Sequence, residues 1–176
     1  ALQKLVRDQA GGLVFMPGFR GYELSLRGTA LEELIPVIWD EGQPRGWGTS
    51  APGRFVLTET GSRSLLTKLD DTDEASERVW KTLPGFQWYA PAVRAKAGTE
   101  ILATHATETN QFGRIPLIVT KTYGAGKILF MGTDGAWRWR KGVEDKYHYR
   151  FWGQVVRWMT YQRNMSRGEN MSLFYS

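Results

Sequence analysis

The stretch Tyr123-Gly-Ala-Gly-Lys-Ile-Leu-Phe-Met131 decides how this chain is expected to fold. Its glycines suit the tight turn of a β-hairpin, and the apolar run at 127–131 has the composition of a buried central strand. The partner strand is Pro116-Leu-Ile-Val-Thr-Lys121, directly before the turn. We therefore predict a hairpin whose second strand lies at the centre of a sheet.

Residues 1–36 are predicted to alternate between helix and strand. Gly11-Gly12 ends a first amphipathic helix, and Leu13-Val-Phe-Met16 has the short apolar composition of a buried parallel strand. Thr29-Ala-Leu-Glu32 has capping-box spacing and begins a short helix that Pro36 limits. This order indicates a helix-to-strand unit followed by a second helix.

Residues 40–52 are rich in Gly and Pro and are predicted to form a loop, either a lid over a site or a packed surface excursion. We favour packing. Strands are predicted at Arg54–Thr58 and Glu100–Thr104, and a helix at Asp73–Leu83.

The segment 144–163 repeats bulky apolar residues at helical spacing and is predicted to be a long, buried final helix. The mixture of helices and strands favours a layered α/β fold. The chain opens within an amphipathic pattern, and Met171–Ser176 resembles a strand that begins a following segment. We expect residues 1–176 to be a single domain that lacks its N-terminal part.

The composition excludes several kinds of chemistry. With no cysteine among 176 residues, the chain has no disulfide, thiolate nucleophile or Cys-ligated zinc. A net charge of +5 with scattered Lys and Arg disfavours nucleic-acid binding, and no apolar run reaches the length of a membrane helix. We expect a soluble domain without a cofactor.

Three further site types are disfavoured. His105 and His148 could bind a metal only with carboxylates such as Asp134 or Glu144, so no metal site is expected. No serine lies in a Gly-x-Ser-x-Gly context. The glycines before Lys127 lack Walker spacing and suit a hairpin better than a phosphate loop.

Several segments together resemble one family. They are Gly11–Met16, Gly28–Pro36, Tyr123–Asp134, Trp137–Arg140 and Phe151–Trp158. They are similar to the glutamine amidotransferase-like domains of large bacterial envelope proteins. The resemblance implies a flavodoxin-like layered fold with a mostly parallel central sheet, a C-terminal hairpin and a long helix. It also implies flanking domains as partners and a membrane-anchored parent protein on the periplasmic or envelope side.

The residues that would carry amidotransfer are absent. In this family a cysteine follows an early strand at a tight elbow, where Pro17 and Gly18 lie here. A base His and an acidic residue follow a later strand, where Gly132 and Asp134 lie. Loss of the nucleophile and the base predicts no glutamine amidotransfer.

The loops after these two strands are expected to line a ligand crevice, because ligands bind at the carboxyl ends of strands in open α/β sheets. The candidate residues are Phe19, Tyr22, Thr133, Trp137, Arg138, Trp139 and Arg140. The alternative is structural: the Trp rings cover the sheet end, and the arginines pair with Asp134, Glu144 or Asp145.

Two functions follow from these observations. The first is a non-catalytic binding or assembly module, with a small molecule or glycan in the crevice. The alternative is a hydrolase that uses Asp134 with Asp40 or Glu41 on a glycan-like substrate. The two carboxylates would then have to face each other across the crevice.

Overall fold

A computed structural model describes residues 1–141 and 145–168 of the chain. The strands of this part are β1 (Gly12–Phe15), β2 (Val37–Trp39), β3 (Trp47–Gly53), β4 (Phe55–Leu57), β5 (Phe86–Tyr89), β6 (Ala92–Ala95), β7 (Thr99–Asn110), β8 (Gly113–Tyr123) and β9 (Gly126–Met131). The α-helices are α1 (Leu2–Asp8), α2 (Glu59–Arg63), α3 (Asp73–Thr82) and α4 (Lys146–Gly168).

The main sheet has five strands in the order β1-β9-β8-β7-β4. β1 pairs with β9 in parallel, and the other three pairs are antiparallel. The described residues also form two small antiparallel sheets of two strands each, β2-β6 and β3-β5. The fold is therefore a mixed α/β fold.

The expected mostly parallel, flavodoxin-like sheet is wrong for this domain. β7 and β8 are joined by Gln111-Phe112, and β8 and β9 by Gly124-Ala125. A parallel pair needs a crossover of about a dozen residues or more, whereas two residues are enough to reverse the chain. The short links therefore impose antiparallel pairing on β7-β8 and β8-β9, and β4 adds a third antiparallel pair at the edge.

The predicted hairpin and its central strand are confirmed. Tyr123 pairs with Gly126 across the turn, and Gly124 has a φ of +59°, which favours glycine. β9 lies between β1 and β8, and its residues 128–131 are completely buried. β1 is a strand as predicted and parallel, but it lies at the edge of the described sheet and is only partly buried.

The helices pack an aromatic core against one face of the sheet. Trp80 of α3 and Phe151 of α4 both contact Trp139 edge to face, with ring centroids 5.4 and 5.2 Å apart. Phe55 of β4 joins the same cluster. The predicted helix at 73–83 is confirmed, and Thr72 caps it by accepting from the backbone N–H of Ala75.

The loop expected at residues 40–52 is only partly irregular, because β3 begins at Trp47 and pairs with β5. The short helix after Thr29 is a 3₁₀ helix, Ala30–Leu34. The predicted segment 171–176 and Glu144 lie outside the described residues. No helix in the described part of the chain is long and apolar enough to cross a membrane.

Candidate functional site

A cavity of about 420 Å³ lies between β3 and a distorted part of β7. Residues 47–54 form one wall, residues 105–108 form the other, and Tyr89 of β5 lies between them. We call this the main cavity.

The distortion of β7 originates at a proline in its neighbour. Thr104 pairs with Pro116 of β8, but the next pair is Thr109 with Arg114, so residues 105–108 bulge out of the ladder. Pro116 has no N–H to donate, which makes a bulge the favourable arrangement at this point. The bulge supplies the cavity wall.

His105 stabilises this bulge from within. Its ring is buried, and Nδ1 accepts from the backbone N–H groups of Thr107 at 3.2 Å and Glu108 at 3.0 Å. Burial lowers the pKa of His105 below its usual value, although the charge of Glu108 opposes this. The neutral ring therefore carries its proton on Nε2, which has no hydrogen-bond partner among the described residues.

A second, smaller cavity of about 160 Å³ shares Trp47, Tyr89 and Glu108 with the main cavity and adds Asp40 to its lining. Trp47 and Tyr89 are directly opposite in the β3-β5 pair, so their side chains leave the same face of that sheet. Burial, followed by the negative charge of Glu108, raises the pKa of Tyr89 to about 12. The phenol is neutral at physiological pH.

The predicted elbow and base positions lie outside the linings of both cavities. Pro17 is buried and Gly18 is exposed in the turn after β1. Gly132 is buried, and its N–H donates to Leu117 at 2.6 Å. Because β1 and β9 are parallel neighbours, the loops after them leave the same edge of the sheet, as predicted.

Two of the predicted crevice residues are structural. Trp139 is completely buried in the aromatic core, and the buried Thr133 hydroxyl donates to the carbonyl of Trp88 at 2.8 Å. Neither is accessible to a ligand, so their assignment to a crevice is corrected. Arg140 pairs with Asp145 at 3.0 Å, the arrangement of the structural alternative.

The other predicted crevice residues are at the surface. Phe19, Tyr22 and Trp137 are exposed large side chains, and the guanidinium of Arg138 lies over the Trp137 ring, 4.9 Å from its centroid. None of them lines the main or the smaller cavity.

The carboxylates of the hydrolase hypothesis are dispersed. Glu41 pairs with Arg27 at the surface, and Asp134 is exposed and lines neither cavity. Asp40 lines the smaller cavity together with Glu108, which the sequence analysis did not single out.

His148 Nδ1 lies 3.0 Å from the carbonyl of Ala136. Among the described residues no group of three His, Asp or Glu side chains is placed to hold a metal.

Sequence reasoning missed Tyr89 and Glu108 and considered His105 only as a metal ligand. The cavity forms from three segments far apart in the chain, and no local spacing predicts it. Pro116 is the first residue of the predicted strand, a position where proline indicates no bulge, whereas it lies inside the observed β8.

The fold and cavity define a mixed α/β domain with a mostly antiparallel sheet and a cavity beside it that has aromatic and polar walls. Its structure is similar to that of cytoplasmic protein STM3548 of Salmonella typhimurium, with a TM-score of 0.63, 17% identity and 89% of this chain covered. It is also similar to cytoplasmic protein STM1381 of Salmonella typhimurium LT2, with a TM-score of 0.55, 18% identity and 90% covered. At this identity the likeness shows the fold alone.

This chain spans 58% of the length of each of these two proteins. No family model and no curated protein matches the sequence. Both structural neighbours are described as cytoplasmic, which contradicts the placement on the periplasmic or envelope side that the resemblance implied. That expectation is wrong because it rested on the usual surroundings of a family and on no residue of this chain.

Proposed function

We propose that this chain is a non-catalytic binding module of the glutamine amidotransferase-like kind, and that its ligand site is the main cavity with its smaller neighbour. The observation that carries the proposal is the convergence of Trp47, Tyr89, His105 and Glu108 on one cavity. Aromatic walls with a few polar groups are typical of small-molecule sites, and about 420 Å³ lies in their usual size range.

The non-catalytic part of the proposal rests on the sequence. A chain without cysteine, with Pro17 at the elbow and Gly132 at the position of the base, lacks the acyl-forming nucleophile and its proton acceptor. An assembly role with flanking domains of a longer chain, which the resemblance also implied, stays a prediction.

The proposal is tested by a thermal-shift screen of the chain against sugars, amino acids, nucleotides and small organic cations. A ligand at 100 times its Kd adds about 2.7 kcal/mol to the free energy of unfolding. Trp47 and Trp137 form a matched pair, because they are 40% and 51% exposed and only Trp47 lines the cavity. We expect Trp47→Ala to abolish the shift and Trp137→Ala to leave it unchanged.

The reverse result would move the site to the loops after β1 and β9. A screen in which no compound stabilises the wild-type chain would contradict the binding function itself.

A further inference from the structure

The smaller cavity has a distinctive charge. Asp40 and Glu108 line it, and no Lys, Arg or His side chain does. We propose that the ligand of this site carries an ammonium group, which lies in the smaller cavity between Trp47, Tyr89 and the carboxylates of Asp40 and Glu108. This inference rests on the proposed binding function and specifies the chemical class of the ligand.

The two carboxylates lack counter-ions. Neither Asp40 nor Glu108 forms an ion pair with the described Lys, Arg or His side chains, although the chain has a net charge of +5. The neighbouring Glu41, in contrast, pairs with Arg27. Two unpaired carboxylates on the wall of one cavity attract a cation that the protein itself does not supply.

The aromatic walls favour an organic cation. The faces of Trp and Tyr rings carry partial negative charge and attract ammonium groups, an interaction of about 0.5–2 kcal/mol that grows with desolvation. Trp47 and Tyr89 are a cross-strand pair whose side chains leave the same face of the β3-β5 sheet, and both line the smaller cavity. The phenol of Tyr89 stays neutral beside Glu108, so it adds no further charge to the site.

A bare divalent metal fits this site less well. Ca²⁺ and Mg²⁺ take about six or more oxygen ligands. The amide of Asn110, also in the lining, already donates to Val93 at 2.6 Å and accepts from Phe112 at 2.8 Å. One oxygen of Asp40 accepts from the backbone N–H of Gly42 at 2.9 Å. The remaining oxygens are few, and the aromatic rings provide none.

The test is isothermal titration calorimetry of the chain with choline, tetramethylammonium and n-butylammonium. The matched neutral probe is 3,3-dimethylbutan-1-ol, which has the shape of choline without its charge. We expect at least one of the three cations to bind. If choline binds, the neutral alcohol should bind at least about tenfold more weakly than choline. Affinity should fall as salt is added, because the attraction is electrostatic.

Variants locate the binding site. Asp40→Asn and Glu108→Gln should each weaken cation binding about tenfold, which is about 1.4 kcal/mol. Glu41→Gln is the matched control, because it removes the same charge one residue from Asp40 and outside the cavity lining. Circular dichroism of each variant checks that it is folded.

Three results would overturn the ammonium inference: no binding of any of the three cations at millimolar concentration, equal binding of choline and its neutral analogue, or equal loss in Glu41→Gln and Asp40→Asn. Binding of Ca²⁺ or Mg²⁺ alone is a fourth result that would overturn it. If sugars or nucleotides nevertheless bind in a manner that depends on Trp47, the proposed binding function stands and only the ligand class is wrong.

Discussion

At the scale of single residues, His105 links the fold to the cavity. Its Nδ1 accepts two backbone N–H groups of the β7 bulge, which requires that this nitrogen carry no proton. Its ring also packs between Phe86 and Tyr89, with centroids 5.2 and 4.9 Å apart. Protonation of His105 would therefore oppose the geometry that forms the cavity wall.

This arrangement predicts a dependence of stability on pH. Because burial lowers the folded-state pKa of His105 below 6.5, the unfolded chain binds the proton more readily. The stabilisation is fully present above pH 6.5 and is lost as the pH falls through the folded-state pKa. His105→Asn retains an acceptor near the position of Nδ1 and removes the titration, so it should reduce the slope of unfolding free energy against pH in urea denaturation.

His148→Asn is the control, because His148 lies outside the bulge and contacts Ala136. If His105→Asn has the same slope of unfolding free energy against pH as the wild-type chain, His105 does not govern the acid sensitivity.

At the scale of elements, the packing of α2 on β7 depends on one small residue. A Cβ at Gly61 would overlap the carbonyl oxygen of Leu102, so α2 approaches the strand more closely than any larger side chain allows. Thr58 supports the same contact, since its hydroxyl donates to Ile101 at 2.6 Å and accepts from the N–H of Gly61 at 2.9 Å. The helix is thereby fixed against the sheet.

Gly61→Ala should lower the free energy of unfolding by about 1–3 kcal/mol, because backbone must move to accommodate the methyl group. Gly153→Ala is the matched control, because Gly153 is an exposed position of α4 where a Cβ meets no atom within 4 Å. It should raise stability by up to about 1 kcal/mol, since alanine favours the helix. Chemical denaturation of both variants measures the difference, and equal effects would contradict the packing argument.

At the scale of the whole molecule, the chain combines a parallel β1-β9 pair with an antiparallel remainder. The elbow and base positions of the resemblance fall after these two parallel strands, at Pro17 and Gly132. The main cavity lies instead beside β3, β5 and the bulge of β7. The site proposed here is thus separate from the place where amidotransfer chemistry would occur.

We expect the chain to release no ammonia from glutamine above the buffer rate, because both nucleophile and base are missing. Pro17→Cys should not create the activity, since Gly132 supplies no proton acceptor. A coupled glutamate dehydrogenase assay measures this, with a cysteine-containing glutaminase as the positive control. Ammonia release by the wild-type chain would contradict the prediction that it performs no glutamine amidotransfer.

The sequence by itself determined the local elements. Residues 116–131 predicted the hairpin and its buried second strand, residues 73–83 predicted α3, and the apolar spacing from residue 144 predicted α4. The absence of cysteine excluded thiolate chemistry without any structure. These features depend on residues close together in the chain, where composition and spacing act directly.

Only the tertiary structure decided the pairing of the strands other than β8-β9 and the place of the site. The turn at Gly124-Ala125 predicted the antiparallel β8-β9 pair, whereas the pairing of β7 with β8 and β4 was not predicted. The sequence predicted Trp139 to line a ligand crevice, but its side chain is buried in the core. Tyr89 and Glu108 line the main cavity, and no motif around them in the sequence predicted this. The cavity joins residues 47–54, Tyr89 and residues 105–108, and contacts between separate segments depend on packing that no local pattern encodes.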